Sequence, residues 1–439
     1  MTPIIMRRTI LLITGWLTAV SVALAQNFPP PTEFRTGYTL PSMTTPPPRV
    51  EWLGWVDVGV LVLALGLATY FALRARSRRG MLAVTVGSLL YFGFYRHGCI
   101  CPVGAVQNVA LALTSTEYAL PLTVGLFFGL PLLFALFAGR VFCAGVCPLG
   151  AIQELVLMRP LTVPKALERA LGMLPFVYLG LAVLLAATGS GFLICRFDPF
   201  VLFFRLHGSA LMLWVGIGTL LVSTVIGRPY CRFLCPYGAL LRLLAPLAQW
   251  RPQITPGQCV QCRLCESACP YGAIAIPTPP LSETRRQRER RVLLVSLVLL
   301  PVCVAGGWVL GGHVGPILAR QHPTVRVAEQ LWLRTQGMVT TETLELTAVD
   351  HLGVEEAPLL RAGVVKQAQI VSGSRWWGAW CGLVVGLALI GAVRYRRREV
   401  YEIEPEHCVA CGRCYAACPV NQEHAVSVSG DECRVSADA

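Results

Sequence analysis

Apolar residues run along this chain in long blocks, and arginine-rich polar stretches separate them. A helix that crosses a bilayer needs about 20 mostly apolar residues. Blocks of that kind lie at 54–73, 81–97, 119–139, 171–188, 210–227, 292–313 and 376–393. The pattern predicts an all-α polytopic membrane protein with about seven mature transmembrane helices. An odd number of crossings starts the mature chain outside and ends it inside. The basic runs at 74–79 (RARSRR), 159–169, 242–251, 285–291 (RRQRERR) and 394–398 (RYRRR) then all fall on the cytoplasmic face, as the positive-inside rule requires. The expected location is the bacterial inner membrane, with the C-terminus in the cytoplasm.

Composition supports this picture. Only 14% of residues are charged against 54% hydrophobic, where an ordinary soluble protein carries about 25% charged residues. A net charge of +13 would suit nucleic acid if it formed one face. Here it is dispersed at the ends of apolar blocks, so nucleic acid is not an expected partner and membrane lipid is. Residues 1–25 carry an Arg pair, an apolar stretch and Ala-Leu-Ala before Gln26, the pattern of a signal peptide. Residues 26–53 are Pro-rich and are expected to form an extended extracytoplasmic segment.

Eighteen cysteines change the picture most. CVQCRLCESACP at 259–270 and CVACGRCYAACP at 408–419 both follow Cys-x2-Cys-x2-Cys-x3-Cys-Pro. In two-cluster ferredoxins the fourth cysteine of such a run ligates the other cluster. One [4Fe–4S] cluster is therefore expected on Cys259, Cys262, Cys265 and Cys418, and a second on Cys408, Cys411, Cys414 and Cys269. Four soft thiolates per site suit iron–sulfur chemistry, and paired runs ending in Cys-Pro fit a zinc ribbon poorly. Sharing ligands requires both runs on one side of the membrane, and two crossings between them meet that condition. The expected order is ferredoxin half 1 at 256–280, a transmembrane helix at 292–313, an extracytoplasmic loop at 314–375, a second helix at 376–393, and ferredoxin half 2 with the tail at 400–439. The module is a small α+β ferredoxin on the cytoplasmic side.

Within the membrane domain, 54–255, four segments resemble one another: RHGCICPVGAVQ (96–107), GRVFCAGVCPLGAIQ (139–153), LICRFDPFVLF (193–203) and GRPYCRFLCPYGALL (227–241). Proline is favoured at the first helical position, which makes the cysteine before it a helix cap. Cys143, Cys147, Cys231 and Cys235 then emerge at the cytoplasmic face as a candidate further redox or metal site. Cys99, Cys101 and Cys195, with Asp198 in place of a cysteine, form a looser candidate set toward the opposite face. The bland alternative for both sets is that cysteine simply packs as a small hydrophobe. Cys303, Cys381 and Cys433 fit no ligand spacing.

These motifs resemble the membrane polyferredoxins typified by NosR, NapH and CcoG, over roughly 80–280 and 376–425. The order of elements is most similar to the C-terminal membrane half of NosR. The resemblance implies electron transfer between a quinol or cytoplasmic donor and a membrane or periplasmic acceptor, without independent catalytic activity. NosR also carries an extracytoplasmic flavin domain, with FMN on a threonine of an S-G-A-T type motif. That motif is not found between the signal peptide and the first span here, so a separate flavoprotein is an expected partner. The alternative is a maturation factor, a copper reductase or chaperone for a metalloenzyme, because thiolates also suit Cu(I).

Overall fold

The computed structural model describes residues 50–98, 101–116, 118–206, 210–254, 259–278, 283–338, 346–347, 349, 355–393 and 398–420. The expected signal peptide, nearly all of the Pro-rich segment, Cys99, Cys433 and the tail beyond 420 lie outside the described residues.

The described chain is mostly helical. Helix α1 (Glu51–Thr69) runs into a π-turn at Tyr70–Arg74, and α2 (Arg78–Ser88) runs into a π-segment at Leu89–Tyr95. There follow α3 (Pro102–Thr114), α4 (Leu122–Ala138), a π-turn at Phe142–Val146, α5 (Pro148–Leu155) and α6 (Lys165–Ala187). Short α7 (Leu193–Arg196) and α8 (Val201–Arg205) precede α9 (Ala210–Ser223), α10 (Pro229–Phe233) and α11 (Pro236–Leu244).

Among the described residues, four helices are long and apolar enough to cross a membrane: Glu51–Arg74, Lys165–Ala187, Arg290–Ala319 and Glu356–Ala392. The blocks expected at 119–139 and 210–227 form helices of only 17 and 14 residues. Each stops before a glycine-arginine pair. Gly139 ends the first at φ +73°, and Arg228, at φ +48°, caps the start of the short helix that follows the second, both conformations that a right-handed helix does not contain. The chain then restarts at Pro148, Pro229 and Pro236, because proline lacks the N–H that would extend a helix backwards. At both C-x3-C-Pro units a shortened helix stands where a full span was expected.

The ferredoxin module is built from both ends of a long hairpin. Its first half contributes α12 (Leu264–Ala268) and β1 (Ile274–Ala275). Helices α13 (Glu283–Ala319), α14 (Pro323–Thr335) and α15 (Glu356–Val393) intervene. The second half contributes β2 (Glu402–Ile403) and α16 (Arg413–Ala417). The strands pair antiparallel, Ile274 opposite Ile403, and Glu404 N–H donates to Ala273 O at 2.8 Å. The expected loop at 314–375 is largely helical, since α13 continues to Ala319 and α15 begins at Glu356.

Glycines at four-residue spacing let α13 and α15 approach backbone to backbone. A methyl group on Gly307 would strike the Gly378 carbonyl, one on Gly311 the Ser374 carbonyl, and one on Gly382 the Cys303 carbonyl. This is the small-residue packing that lipid-embedded helices use, where apolar burial gives no preference for a partner helix over lipid. Two indoles fasten the hairpin to α6: Trp377 Nε1 donates to Val177 O at 3.1 Å and Trp380 Nε1 to Phe176 O at 2.8 Å.

Candidate metal centres

The ferredoxin runs wrap alike. Gln261 and Arg263 in the first loop, and Ala410 and Gly412 in the second, occupy the same two positions between cysteines, and all four have positive φ. Left-handed residues so placed curl the backbone so that its N–H groups turn inward, as in an anion-binding nest. Ala410 N–H donates to Cys408 Sγ at 3.3 Å.

Two cavities result. One is lined by Cys259, Cys262, Cys265 and Cys418, and the other by Cys269, Cys408, Cys411 and Cys414. Each takes three thiols from one run and its fourth from the other, despite the hairpin between them. Among the described residues, no three His, Cys, Asp or Glu side chains converge to hold a single metal ion. The thiols instead stand around a space, and a donor set of four thiols around a cavity fits an iron–sulfur cluster.

The surroundings of the two cavities differ. Cys262 is exposed and Cys259 half-buried, and the first cavity packs on a small cluster of Ile254, Cys265 and Tyr401. The second merges into the main core of the molecule: Val409, Ala410 and Cys411 belong to the same large buried cluster as Cys143, Cys147, Cys231 and Cys235, and Cys408 packs against it.

Those last four cysteines are all buried, and hydrogen-bond donors reach three of their sulfurs. Gln153 Nε2 lies 3.3 Å from Cys231 Sγ, Gly238 N 3.3 Å from Cys235 Sγ and Arg140 Nη2 3.8 Å from Cys143 Sγ. Cys147 and Cys235 cap α5 and α11, each followed by proline. Gly150 and Gly238, three residues after their caps, sit so close to the Cys143 and Cys231 carbonyls that a methyl group would lie at 3.1 Å in both. The two units thus share this close approach.

Glu154, adjacent to Gln153, is the hub that seats the ferredoxin on the membrane domain. Its buried carboxylate accepts from Arg78 at 2.6 Å, Arg228 at 3.1 Å, Arg413 at 2.9 Å and the Tyr271 hydroxyl. Arg413 and Tyr271 come from the two ferredoxin halves, and Arg228 precedes Cys231. Arg78 also donates to Cys411 O at 3.0 Å, and Arg228 to Cys143 O and Ala144 O. Burial pushes the Glu154 pKa up, but Arg228, Arg413 and Arg78 outweigh it and hold the carboxyl at about 2. Arg140 adds a further tie, donating to Glu406 O at 3.0 Å. The inventory of cysteines missed this hub. Its sequence signal is the Gly-Arg before each C-x3-C unit and the Gln-Glu that ends the second.

The looser set is also brought together in part. Cys101 caps α3, Cys195 lies on α7 and Asp198 follows it, and all three line one cavity of about 610 Å³. Cys99 lies outside the described residues.

The arrangement defines a class: a ferredoxin of the [4Fe–4S] type, split by a helical hairpin and seated on broken helices that carry Cys-Pro units. Comparison with known proteins agrees. A 4Fe-4S binding domain family matches residues 120–165 and 206–254, which contain Cys143, Cys147, Cys231 and Cys235. Two further 4Fe-4S binding domain families match 251–274 and 401–422, over the ferredoxin runs. The chain is 29% identical over 188 residues to an uncharacterised protein of Methanocaldococcus jannaschii, covering 40% of this chain and 75% of that protein. It is 32% identical over 242 residues to protein NirI of Paracoccus denitrificans, covering 50% of this chain and 35% of NirI. It is 31% identical over 231 residues to the regulatory protein NosR of Pseudomonas aeruginosa, covering 45% of this chain and 31% of NosR. The match therefore spans about a third of NirI and of NosR. No solved structure matches the chain. The protein is a 4Fe–4S ferredoxin-domain protein related to the polyferredoxins NosR, NirI, YccM and MauN.

Proposed function

We propose that this chain is a membrane-bound electron-transfer protein. Cys259, Cys262, Cys265 and Cys418 hold one [4Fe–4S] cluster, and Cys269, Cys408, Cys411 and Cys414 hold the other. Clusters of this class accept and release single electrons. The observation that carries the reading is the reciprocal lining of the two cavities by runs far apart in sequence.

The chain's own residues set a direction inward. The exposed first cavity is the docking end for a soluble donor. The second lies in the same core as Cys143, Cys147, Cys231 and Cys235, and these extend the route into the membrane domain. Arg140, Gln153 and the Gly238 amide stabilise electron density on their sulfurs, as hydrogen bonds to sulfur do around iron–sulfur centres. The Glu154 hub holds the two portions in register.

The four long helices, with the shorter ones at 78–95, 122–138 and 210–223, make up seven crossings in this reading. Arginines at 74–79, 159–169, 242–251 and 285–291 support a cytoplasmic ferredoxin in this reading, by the positive-inside rule. The donor side is a cytoplasmic carrier or quinol, and the acceptor is membrane-bound or periplasmic.

The test is iron and acid-labile sulfide per anaerobically purified chain, with EPR of the reduced protein. About eight iron atoms with spin coupling between two reduced clusters are expected from the ferredoxin alone. Cys262→Ser and Cys411→Ser should each cost about four of them. Iron content unchanged in both variants would sink the ligand assignment.

A further inference from the structure

Each C-x3-C-Pro unit opens on a Gly-Arg pair, Gly139-Arg140 before Cys143 and Gly227-Arg228 before Cys231. Both arginines are buried, Arg140 at 4% exposure and Arg228 at 1%. Their partners differ. Arg228 is neutralised by Glu154 at 3.1 Å. Arg140 meets no carboxylate among the described residues: Nη1 donates to Glu406 O at 3.0 Å, Nη2 lies 3.8 Å from Cys143 Sγ, and Nε has no partner. The acidic side chains nearby do not serve it, since Glu168 is bound by Arg232 and Glu406 is exposed. A buried charge left unpaired is strongly unfavourable, so Arg140 calls for an anion.

Thiols flank it on two sides. On one, Arg140 and Cys408 line a single small cavity, and Glu406 stands two residues before Cys408. On the other, Arg140 shares a second cavity with Cys231, Arg242 and His407. Arg242 likewise finds only backbone: its Nη groups donate to Gly172 O at 3.1 Å and Arg232 O at 2.9 Å, and its Nε has no partner among the described residues. A [4Fe–4S] cluster on four thiolates is an anion and supplies the missing charge. At the first ferredoxin cavity the lining arginine, Arg263, is exposed, where solvent and salt screen it.

From this contrast we propose that Arg140 tunes the cluster held by Cys269, Cys408, Cys411 and Cys414. Reduction adds one electron to that cluster and makes or breaks no bond, so the reduced state carries one more negative charge. A guanidinium is a permanent positive charge, and one left without a carboxylate favours that state. Arg140 therefore raises the midpoint potential of the second cluster, with Arg242 adding to the same field, and draws an electron inward from the exposed first cluster. Net charge is among the factors that set the potential of such clusters. The inference rests on the reading that this cavity holds a [4Fe–4S] cluster.

The test uses the full chain, purified anaerobically in detergent, in a redox titration followed by EPR. Iron and acid-labile sulfide are measured in the same samples. The wave of the second cluster is the one that Cys411→Ser removes. Arg140→Gln should keep the parent's iron and sulfide and shift that wave to lower potential, leaving the first cluster's wave in place. Arg140→Lys, which keeps the charge, should restore most of the parent value, a rescue that a purely structural role does not predict. Unmoved potentials in a fully loaded Arg140→Gln protein would overturn the inference, as would both waves moving together or Arg140→Lys falling as far as Arg140→Gln. Should Arg140→Gln fail to fold or load, Arg242→Gln should lower the same wave by a smaller amount, and an unmoved wave there overturns the inference equally. A parent protein without two cluster waves would instead overturn the ferredoxin assignment.

Discussion

The two pairs of Cys-Pro units share one local chemistry and differ in what surrounds them. Around the second pair, Cys143, Cys147, Cys231 and Cys235 are closed in by Glu154, its arginines and the ferredoxin. Around the first, Cys195 is exposed and Cys101 half-buried at a cavity. A repeated local motif has thus been given one sealed site and one accessible site. Sealing suits a site that only relays electrons, since water and small oxidants are kept from the sulfur. Accessibility suits the end of a relay, where a partner must approach.

The largest test of this contrast is Glu154→Leu. It leaves Arg228, which is 1% exposed, as an uncompensated buried charge, and losing one partner of a buried pair costs about 3–5 kcal/mol. Thermal unfolding in detergent should show a large loss, together with release of the ferredoxin from protease protection. A variant that melts like the parent would mean the hub does not seal the site.

A matched pair of smaller effects sharpens the comparison. Gln153→Leu removes a donor from Cys231 Sγ and leaves Tyr230 N–H without its acceptor, at about 1–3 kcal/mol. Gln107→Leu strands Ile194 N–H in the same way, but also removes an Nε2 that is unpartnered among the described residues. Measured by the same melts in metal-free protein, Gln107→Leu should cost less than Gln153→Leu. Equal losses would argue that the two pairs are energetically alike.

The smallest effect is acid sensitivity. The Glu154 pKa falls from 4.5 to about 2 on folding: burial works against the shift, and Arg228, Arg413 and Arg78 more than offset it. A depressed carboxylate contributes stability that is complete above the unfolded value and disappears as pH falls through the folded one. Melting temperature should therefore hold steady down to about pH 4.5 and decline below it, and Glu154→Gln should flatten that decline. A decline of the same size in Glu154→Gln would assign it to other carboxylates.

Much of the candidate site was legible in the chain. Cysteine spacing is covalent, so the two runs predict three thiols from one run and a fourth from the other at each site before any fold is known, which is how the two cavities are lined. The apolar blocks likewise show where helices lie. They did not show which blocks are cut short, because Gly139 ends one helix and Arg228 opens another through positive-φ backbone conformations that hydropathy does not register.

Sequence alone therefore determined the donor atoms, their grouping into runs, and the helical, lipid-suited character of the rest, since these follow from composition and local spacing. Only the tertiary structure decided how the units pair. The bonds from Gln107 to Ile194 and from Gln153 to Tyr230 join residues distant along the chain. Glu154 gathers arginines and a tyrosine from four separate segments. The glycines of α13 and α15 acquire meaning only when the helices face each other. Such contacts depend on which surfaces meet, and no local pattern of residues encodes that.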